Sequence, residues 1–277
     1  MQDMRIAMVQ TTCRVADVEG NLETMERFCE QAAAREVDII CFPELGVCGY
    51  NAGDPSTPEP EPLDGKAVRG VEALAQKHQL TVLAGLLERS VSGIVYNTQV
   101  VCGPDGFIGS YRKTHVPTPE IGTFCNGDDL PVFDHPKARF GIQICYDTHF
   151  PEVSTLLAEK GAEVIFCPHA SPPVETAEMK RARWLRYIPA RAYDNTVYVA
   201  ICNQVGDNGA GRDFQGVTFV CNAVGEIVAE VASADKEEML VADLRGAELQ
   251  EDRREAVMFF RHFRRPELYG RWQQESR

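Results

Sequence analysis

Ten short apolar runs recur along this chain, at 4–9, 37–42, 80–87, 94–102, 138–144, 162–167, 196–203, 216–221, 226–232 and 238–243. Their length and their wealth of Val, Ile, Leu and Phe read as β-strands. Between several of them the apolar positions switch to helical spacing. Over 19–35, Leu22, Met25, Phe28, Cys29, Ala32 and Ala33 fall on one helix face. Over 66–78, Val68, Val71, Leu74 and Ala75 do the same. Residues 151–160 open on Pro151, a favoured first helical residue. The stretch 174–194 reads as one longer helix with Met179, Ala182, Trp184, Leu185 and Ile188 inside, and Pro189 is expected to kink or break it. Strands alternating with helices predict an α/β fold. The strand-rich stretch 196–243 predicts strands that complete a second sheet, with 206–211 as a flexible loop. Two sheets, each covered by helices, fit the count.

A chain of 277 residues suits one large α/β domain or two small ones. No linker, repeat or low-complexity stretch divides it, so one domain over 1–277 is expected. The Pro/Gly/Asp-rich stretch 51–65 reads as a surface loop. The charged, aromatic tail at about 261–277 reads as a segment that packs on something, a partner subunit included. The net charge of -13 argues against nucleic acid or an anionic membrane as the main partner. No apolar run approaches the ~20 residues that span a bilayer. The first ten residues read as a strand and not as a signal peptide, which places the protein in the cytoplasm. Ten cysteines are spread singly from Cys13 to Cys221, mostly inside apolar runs. In a reducing compartment they read as small buried hydrophobes. With no CxxC pair, and with Cys167-Pro168-His169 lacking a second half, no metal site is expected.

Three patches carry chemistry, each at the end of a strand-like run. Phe42-Pro43-Glu44-Leu45 puts a carboxylate where the run 37–42 leaves the core, although a solvated carboxylate is the usual fate of such a residue. Tyr111-Arg112-Lys113-Thr114-His115 puts a lysine after the strand-like stretch 107–111, where an exposed charge is the ordinary outcome. Phe140-Gly141-Ile142-Gln143-Ile144-Cys145-Tyr146-Asp147 runs from a strand through a tight turn toward Pro151 and a helix. A cysteine at such a turn is presented at the sheet edge, near backbone N–H groups able to bind an oxyanion. A helix start and a nearby cation are both expected to lower its thiol pKa. Taken singly, Cys145 also reads as one more core cysteine.

Together the three patches are far more specific. Glu44, Lys113 and Cys145, in order and in these contexts, resemble the Glu-Lys-Cys triad of the nitrilase (carbon–nitrogen hydrolase) superfamily. The resemblance extends over nearly the whole chain. It includes Gly49-Tyr50, Asn97, Phe150-Pro151-Glu152, Ala190-Arg191-Ala192 with Asn195, and Arg265-Pro266-Glu267-Leu268-Tyr269. It implies a four-layer α-β-β-α sandwich, and subunits paired through the helices at about 151–160 and 174–192. It also implies a second catalytic glutamate shortly after the lysine, a place that Glu120 fits.

The implied activity is hydrolysis of a small amide or N-carbamoyl (ureido) compound, with release of ammonia and no cofactor. Cys145 is the nucleophile and Glu44 the base, while Lys113 and the backbone N–H of Tyr146 hold the oxyanion. Candidate pocket residues are Tyr50, His149, Phe150, His169 and Ser171. Tyr146-Asp147 after the cysteine resembles amidases and carbamoyl amidases, whereas nitrile-hydrolysing relatives usually carry Trp-Glu. Hydrolysis of 2-oxo acid ω-amides is disfavoured by His149, which replaces the carboxylate-gripping arginine of those relatives. Nitrile hydrolysis, ω-amide hydrolysis and a catalytically silent scaffold stand as the alternatives.

Overall fold

A computed structural model describes residues 1–52, 58–171, 175–231, 233 and 235–275. Part of the loop at 51–65, the start of the helix read from 174, the last residue of the run 226–232 and the end of the tail lie outside the described residues.

The first half of the chain builds one sheet. Its strands are β1 (Met4–Gln10), β2 (Ile39–Cys41), β3 (Thr81–Arg89), β4 (Val95–Gly103) and β5 (Gly106–Arg112). β1, β2 and β3 run parallel, and β4 and β5 continue the sheet antiparallel. Helices α1 (Val18–Ala34) and α2 (Lys66–His78) supply the parallel crossovers. The Asp17 side chain caps α1 by accepting the Gly20 N–H at 3.1 Å.

The second half repeats the plan. β6 (Val132–His135) pairs antiparallel with β7 (Ala138–Ile142), and β7, β8 (Val164–His169) and β9 (Tyr198–Asn203) run parallel. Helix α3 (Pro151–Glu159) follows β7, and α4 (Ala177–Trp184) and α5 (Ile188–Asn195) follow β8. After the short pair β10 (Gly206–Asp207) and β11 (Asp213–Phe214), strands β12 (Thr218–Cys221) and β13 (Ile227–Val231) extend this sheet beyond β9. The chain then crosses back as β14 (Glu238–Leu244), continues as α6 (Gly246–Arg254) and ends in α7 (Pro266–Glu275).

The central strands are apolar without strict alternation because both of their faces are covered. Ile6, Met8, Ile39, Cys41 and Leu83 point to one side and meet Phe140, Ile142, Val164 and Phe166 of the other sheet. Ala7, Val9, Ile40, Val82 and Ala84 point the other way, onto α1 and α2. Ile165, Cys167, Val199 and Ile201 pack on α3, α4 and α5. The result is two sheets covered by helices, as the pattern predicts, in the α-β-β-α sandwich that the family resemblance implies. Each fully buried large apolar side chain contributes roughly 1.5–3 kcal/mol, so three apolar layers, more than local propensity, hold the strands in place.

Three expectations need correction. The stretch read as one helix over 174–194 forms two, and Pro189 sits in the first turn of α5. Its missing N–H and fixed φ forbid an uninterrupted helix but suit a helix start. β14 does not complete the second sheet. It pairs antiparallel with β1 from Met4↔Leu244 to Gln10↔Glu238, closing an edge of the first sheet that would otherwise be bare. The glycine-rich stretch 206–211 is not simply a loop, since Gly206 and Asp207 pair with Phe214 and Asp213.

Candidate active site

The segments leaving β2, β5, β7 and β8 meet at one place, and the charges brought there are buried. Glu44, read alone as a solvated carboxylate, is fully buried, and so is Lys113. Lys113 Nζ donates to Glu44 Oε1 and to Glu120 Oε2, both at 2.8 Å. The other Glu120 oxygen accepts from Tyr50 Oη at 2.8 Å. Glu44 is further fixed by Asn97 Nδ2 at 2.7 Å on Oε1 and by the Ala170 N–H at 2.7 Å on Oε2. Gln204 Nε2 donates to the Glu44 carbonyl at 2.8 Å. Every oxygen of this carboxylate pair therefore has a donor, which a buried charge requires.

Backbone geometry explains how Glu44 arrives there. The next residue, Leu45, has φ +51°, and the segment lies directly against β3 at Gly85. A Cβ on Gly85 would stand 2.3 Å from the Leu45 nitrogen, so only glycine allows that approach. Cys145 is placed by a similar device. It leaves β7 with φ +47°, a left-handed conformation costly for a side chain other than glycine, and enters a 3-10 turn, Cys145–His149. The sharp turn points the thiol out of the sheet, as in a nucleophile elbow.

Asp147 holds the elbow. Its Oδ2 accepts from Tyr111 Oη at 2.7 Å and the Ile144 N–H at 2.9 Å. Its Oδ1 accepts from Thr114 Oγ1 and the His115 N–H, both at 2.9 Å. The turn that carries Cys145 is thereby tied to the segment that carries Lys113. Arg191 of α5 adds a bond to the Thr148 carbonyl at 3.0 Å.

The electrostatics correct one expectation. Part of Cys145 reaches solvent, but its thiol is desolvated. Burial first, and then the facing Glu44 carboxylate, hold its pKa well above the ordinary range, while Lys113 only partly opposes them. The helix start and the cation do not win, because burial disfavours the thiolate and a carboxylate sits beside the same cation. The thiol is thus a protonated group facing the Glu44 carboxylate. Burial works against the charge on Lys113, but Glu44, Cys145 and Glu120 outweigh it and raise its pKa. Burial raises the Glu120 pKa, and Lys113 counters it.

The proposed pocket residues surround this centre unequally. Tyr50, His169 and Ser171 are buried. Tyr146 is exposed at its side chain. His149 is exposed too, with its ring 4.6 Å from that of Tyr187, and Phe150 stacks on His115 at 3.8 Å. Burial, with Arg183 and Arg191 nearby, lowers the His149 pKa and keeps its ring neutral. Sequence reading missed the supporting roles of Gly85, Asn97, Asp147 and Gln204. Asn97 had a usable signal, since it and Gln99 are amides inside an apolar strand and it is part of the family resemblance. It also missed Lys180 of α4, which is fully buried with Nζ 2.8 Å from the Ser171 carbonyl. Among the described residues, no group of three or more His, Cys, Asp or Glu is arranged to hold a metal ion, and no helix is long and apolar enough to cross a membrane.

Comparison with known proteins gives this geometry a context. Residues 5–254 match the carbon-nitrogen hydrolase family. A protein of Pseudomonas protegens described as a hydrolase in the pqqF 5' region is 32% identical over 275 residues, covering 97% of this chain and 92% of that one. The human omega-amidase NIT2 is 28% identical, with 98% of each chain covered. The crystal structure of Saccharomyces cerevisiae Nit3, a member of branch 10 of the nitrilase superfamily, has a TM-score of 0.80 and 26% identity, covering 92% of this chain and 94% of that one.

Proposed function

This chain belongs to the carbon–nitrogen hydrolase family of the nitrilase superfamily, and from that premise we propose that it hydrolyses the C–N bond of a small amide or N-carbamoyl (ureido) compound through a thioester on Cys145. The observation that carries the reading is the buried Glu44–Lys113–Glu120 network facing a thiol on a strained elbow.

Glu44 takes the thiol proton as Sγ attacks the carbonyl carbon. A raised thiol pKa makes this base necessary, since little thiolate exists beforehand. The oxyanion forms beside the Lys113 ammonium and the Tyr146 N–H, donors that need no reorganisation. Glu44 returns the proton to the leaving nitrogen, ammonia departs, and a thioester remains. Water then gives its proton to Glu44 and attacks the thioester, and the carboxylic acid and free thiol are released. With a ureido substrate the released product is a carbamic acid, which breaks down to an amine and carbon dioxide. Glu120 orients Lys113 and faces the substrate nitrogen. Tyr50, His149, Phe150, His169 and Ser171 shape the pocket.

The test is ammonia release from aliphatic amides, ω-amides, N-carbamoyl amino acids, alkylureas and nitriles, with Cys145→Ala as control. Release should fall by at least about 10⁴-fold in the variant, the scale of nucleophile removal in related chemistry. Release that survives the substitution would end the mechanism.

The same reading extends to assembly and location. Leu156 on α3, Met179 on α4 and Tyr193 on α5 are exposed apolar residues, which supports pairing of subunits through these helices. Light scattering should then give at least a dimer, and Leu156→Arg should shift it toward monomer. Eight of the ten cysteines are buried free thiols used as core residues, which supports a cytoplasmic location.

A further inference from the structure

His169 ends β8, one residue before the N–H that anchors Glu44. Its ring is buried and held on two sides. Nδ1 lies 2.8 Å from the Cys167 carbonyl, and the Trp184 ring lies 4.5 Å away, centroid to centroid. A carbonyl oxygen only accepts, so Nδ1 carries the hydrogen. Burial lowers the ring's pKa to about 3, and His149, Lys113 and Lys180 push the same way, although the bond to Cys167 opposes them. The ring therefore carries one proton, and Nε2 is left as an acceptor. That Nε2 is buried and has no hydrogen-bond partner among the described residues. A buried acceptor without a donor is costly, and this one lies one residue from the N–H that holds Glu44, so it calls for a use.

The use follows from what the other groups already do. The leaving nitrogen of the substrate is served by Glu44 and Glu120, and the carbonyl oxygen by Lys113 and the Tyr146 N–H. An additional fixed acceptor is matched by a donor on the acyl side. We propose that His169 Nε2 accepts a hydrogen bond from an N–H on the acyl side of the substrate, which makes the site selective for ureido compounds, R–NH–CO–NH₂, over amides with a methylene there, R–CH₂–CO–NH₂. This rests on the hydrolase reading above and names its substrate class.

Matched pairs test it directly. n-Propylurea and pentanamide differ only in N–H against CH₂ next to the carbonyl, as do N-carbamoyl-β-alanine and 4-carbamoylbutanoate. Dissociation constants are measured by calorimetry on the Cys145→Ala protein, so that intrinsic reactivity does not enter. The ureido member of each pair should bind about 10-fold tighter, the scale of one buried hydrogen bond. Adding His169→Phe, which keeps a ring against Trp184, should bring the ratio within about 2-fold. His169→Asn, which offers a shorter acceptor, should retain part of the preference. Each variant should keep the circular dichroism spectrum and the cooperative unfolding transition of the parent protein, which separates lost recognition from a damaged fold.

Equal binding within the pairs, or a ratio that His169→Phe leaves unchanged, overturns the assignment. If ammonia is still released from other amides, the hydrolase reading stands without it. If no amide, urea or nitrile is hydrolysed, both fall together.

Discussion

Lys113 and Lys180 are both fully buried and both lie near Cys145, yet burial has opposite consequences for them. Lys113 follows β5 of the first sheet and has a carboxylate oxygen on each side at 2.8 Å. Its charge is compensated, and its pKa is raised. Lys180 sits on α4, over the second sheet. Its Nζ donates to the Ser171 carbonyl and lies 5.9 Å from the Trp184 ring centroid. Burial lowers its pKa to about 8, with Glu175 and Cys145 only partly offsetting it. A carbonyl dipole and an aromatic face replace less hydration than two carboxylates do. The difference separates two jobs. Lys113 is a permanent cation suited to an oxyanion, whereas Lys180 ties helix α4 to the segment after β8.

The largest effect that would break this comparison comes from removing the compensated charge. Lys113→Met leaves Glu44 and Glu120 buried together without their cation. Loss of one partner of a buried ion pair costs about 3–5 kcal/mol, and denaturant unfolding at pH 7 should show a loss of that size. Turnover should fall by about 10²–10³-fold, on the scale of losing an oxyanion donor. Lys113→Arg should not restore it, because a planar fork cannot occupy the place of a point charge held by two carboxylates. A stability loss under about 1 kcal/mol in Lys113→Met would mean that the two carboxylates are not ionised together, and the contrast with Lys180 would fail.

Lys180 gives the next effect, and its sign is opposite. Its folded pKa, about 8, lies below the unfolded value near 10.4. Between these values the unfolded chain binds more protons than the folded one, so stability rises with pH there. The penalty for burying the charge is complete below pH 8 and gone above about pH 10.5. Wild-type protein should therefore gain on the order of 2–3 kcal/mol relative to Lys180→Met as pH rises across that window. Parallel curves for the two proteins would show that Lys180 keeps an ordinary pKa.

Much of this arrangement was legible from residues alone, for physical reasons. The parallel core strands are buried on both faces, so they are apolar runs that no loop would carry, and the two sheets with their helices could be counted. Glu44, Lys113 and Cys145 stood out as candidates because each closes a strand run in its own local context, and the structure brings them to one place. What could not be read was anything set by long-range pairing or by burial. β14 looks like its neighbours in sequence, and only the free edge of β1 draws it to the first sheet. The direction of the Cys145 pKa depends first on burial and then on Glu44, 101 positions earlier in the chain, and no local rule at a helix start contains either. Gly85 and Lys180 carry no motif. One is fixed by the approach of Leu45 and the other by a carbonyl of a different segment.

The smallest effect sharpens the comparison from the carboxylate side. Tyr50 Oη donates to the Glu120 oxygen that Lys113 does not reach. In Tyr50→Phe that oxygen loses its donor while Lys113 keeps both of its partners. The stability cost at pH 7 should be about 1–1.5 kcal/mol, and kcat/KM should fall about 5–10-fold, the scale of one hydrogen bond to a charged group. Burial already raises the Glu120 pKa, and the lost bond is one that lowers it, so the pKa should rise further. The acid limb of the kcat/KM profile should then move to higher pH. The stability gap between wild type and variant should also narrow as pH falls, because a protonated Glu120 has less need of the donor. A gap that stays constant with pH would show that Tyr50 supports the pocket by packing alone, and that Lys113 by itself keeps Glu120 ionised.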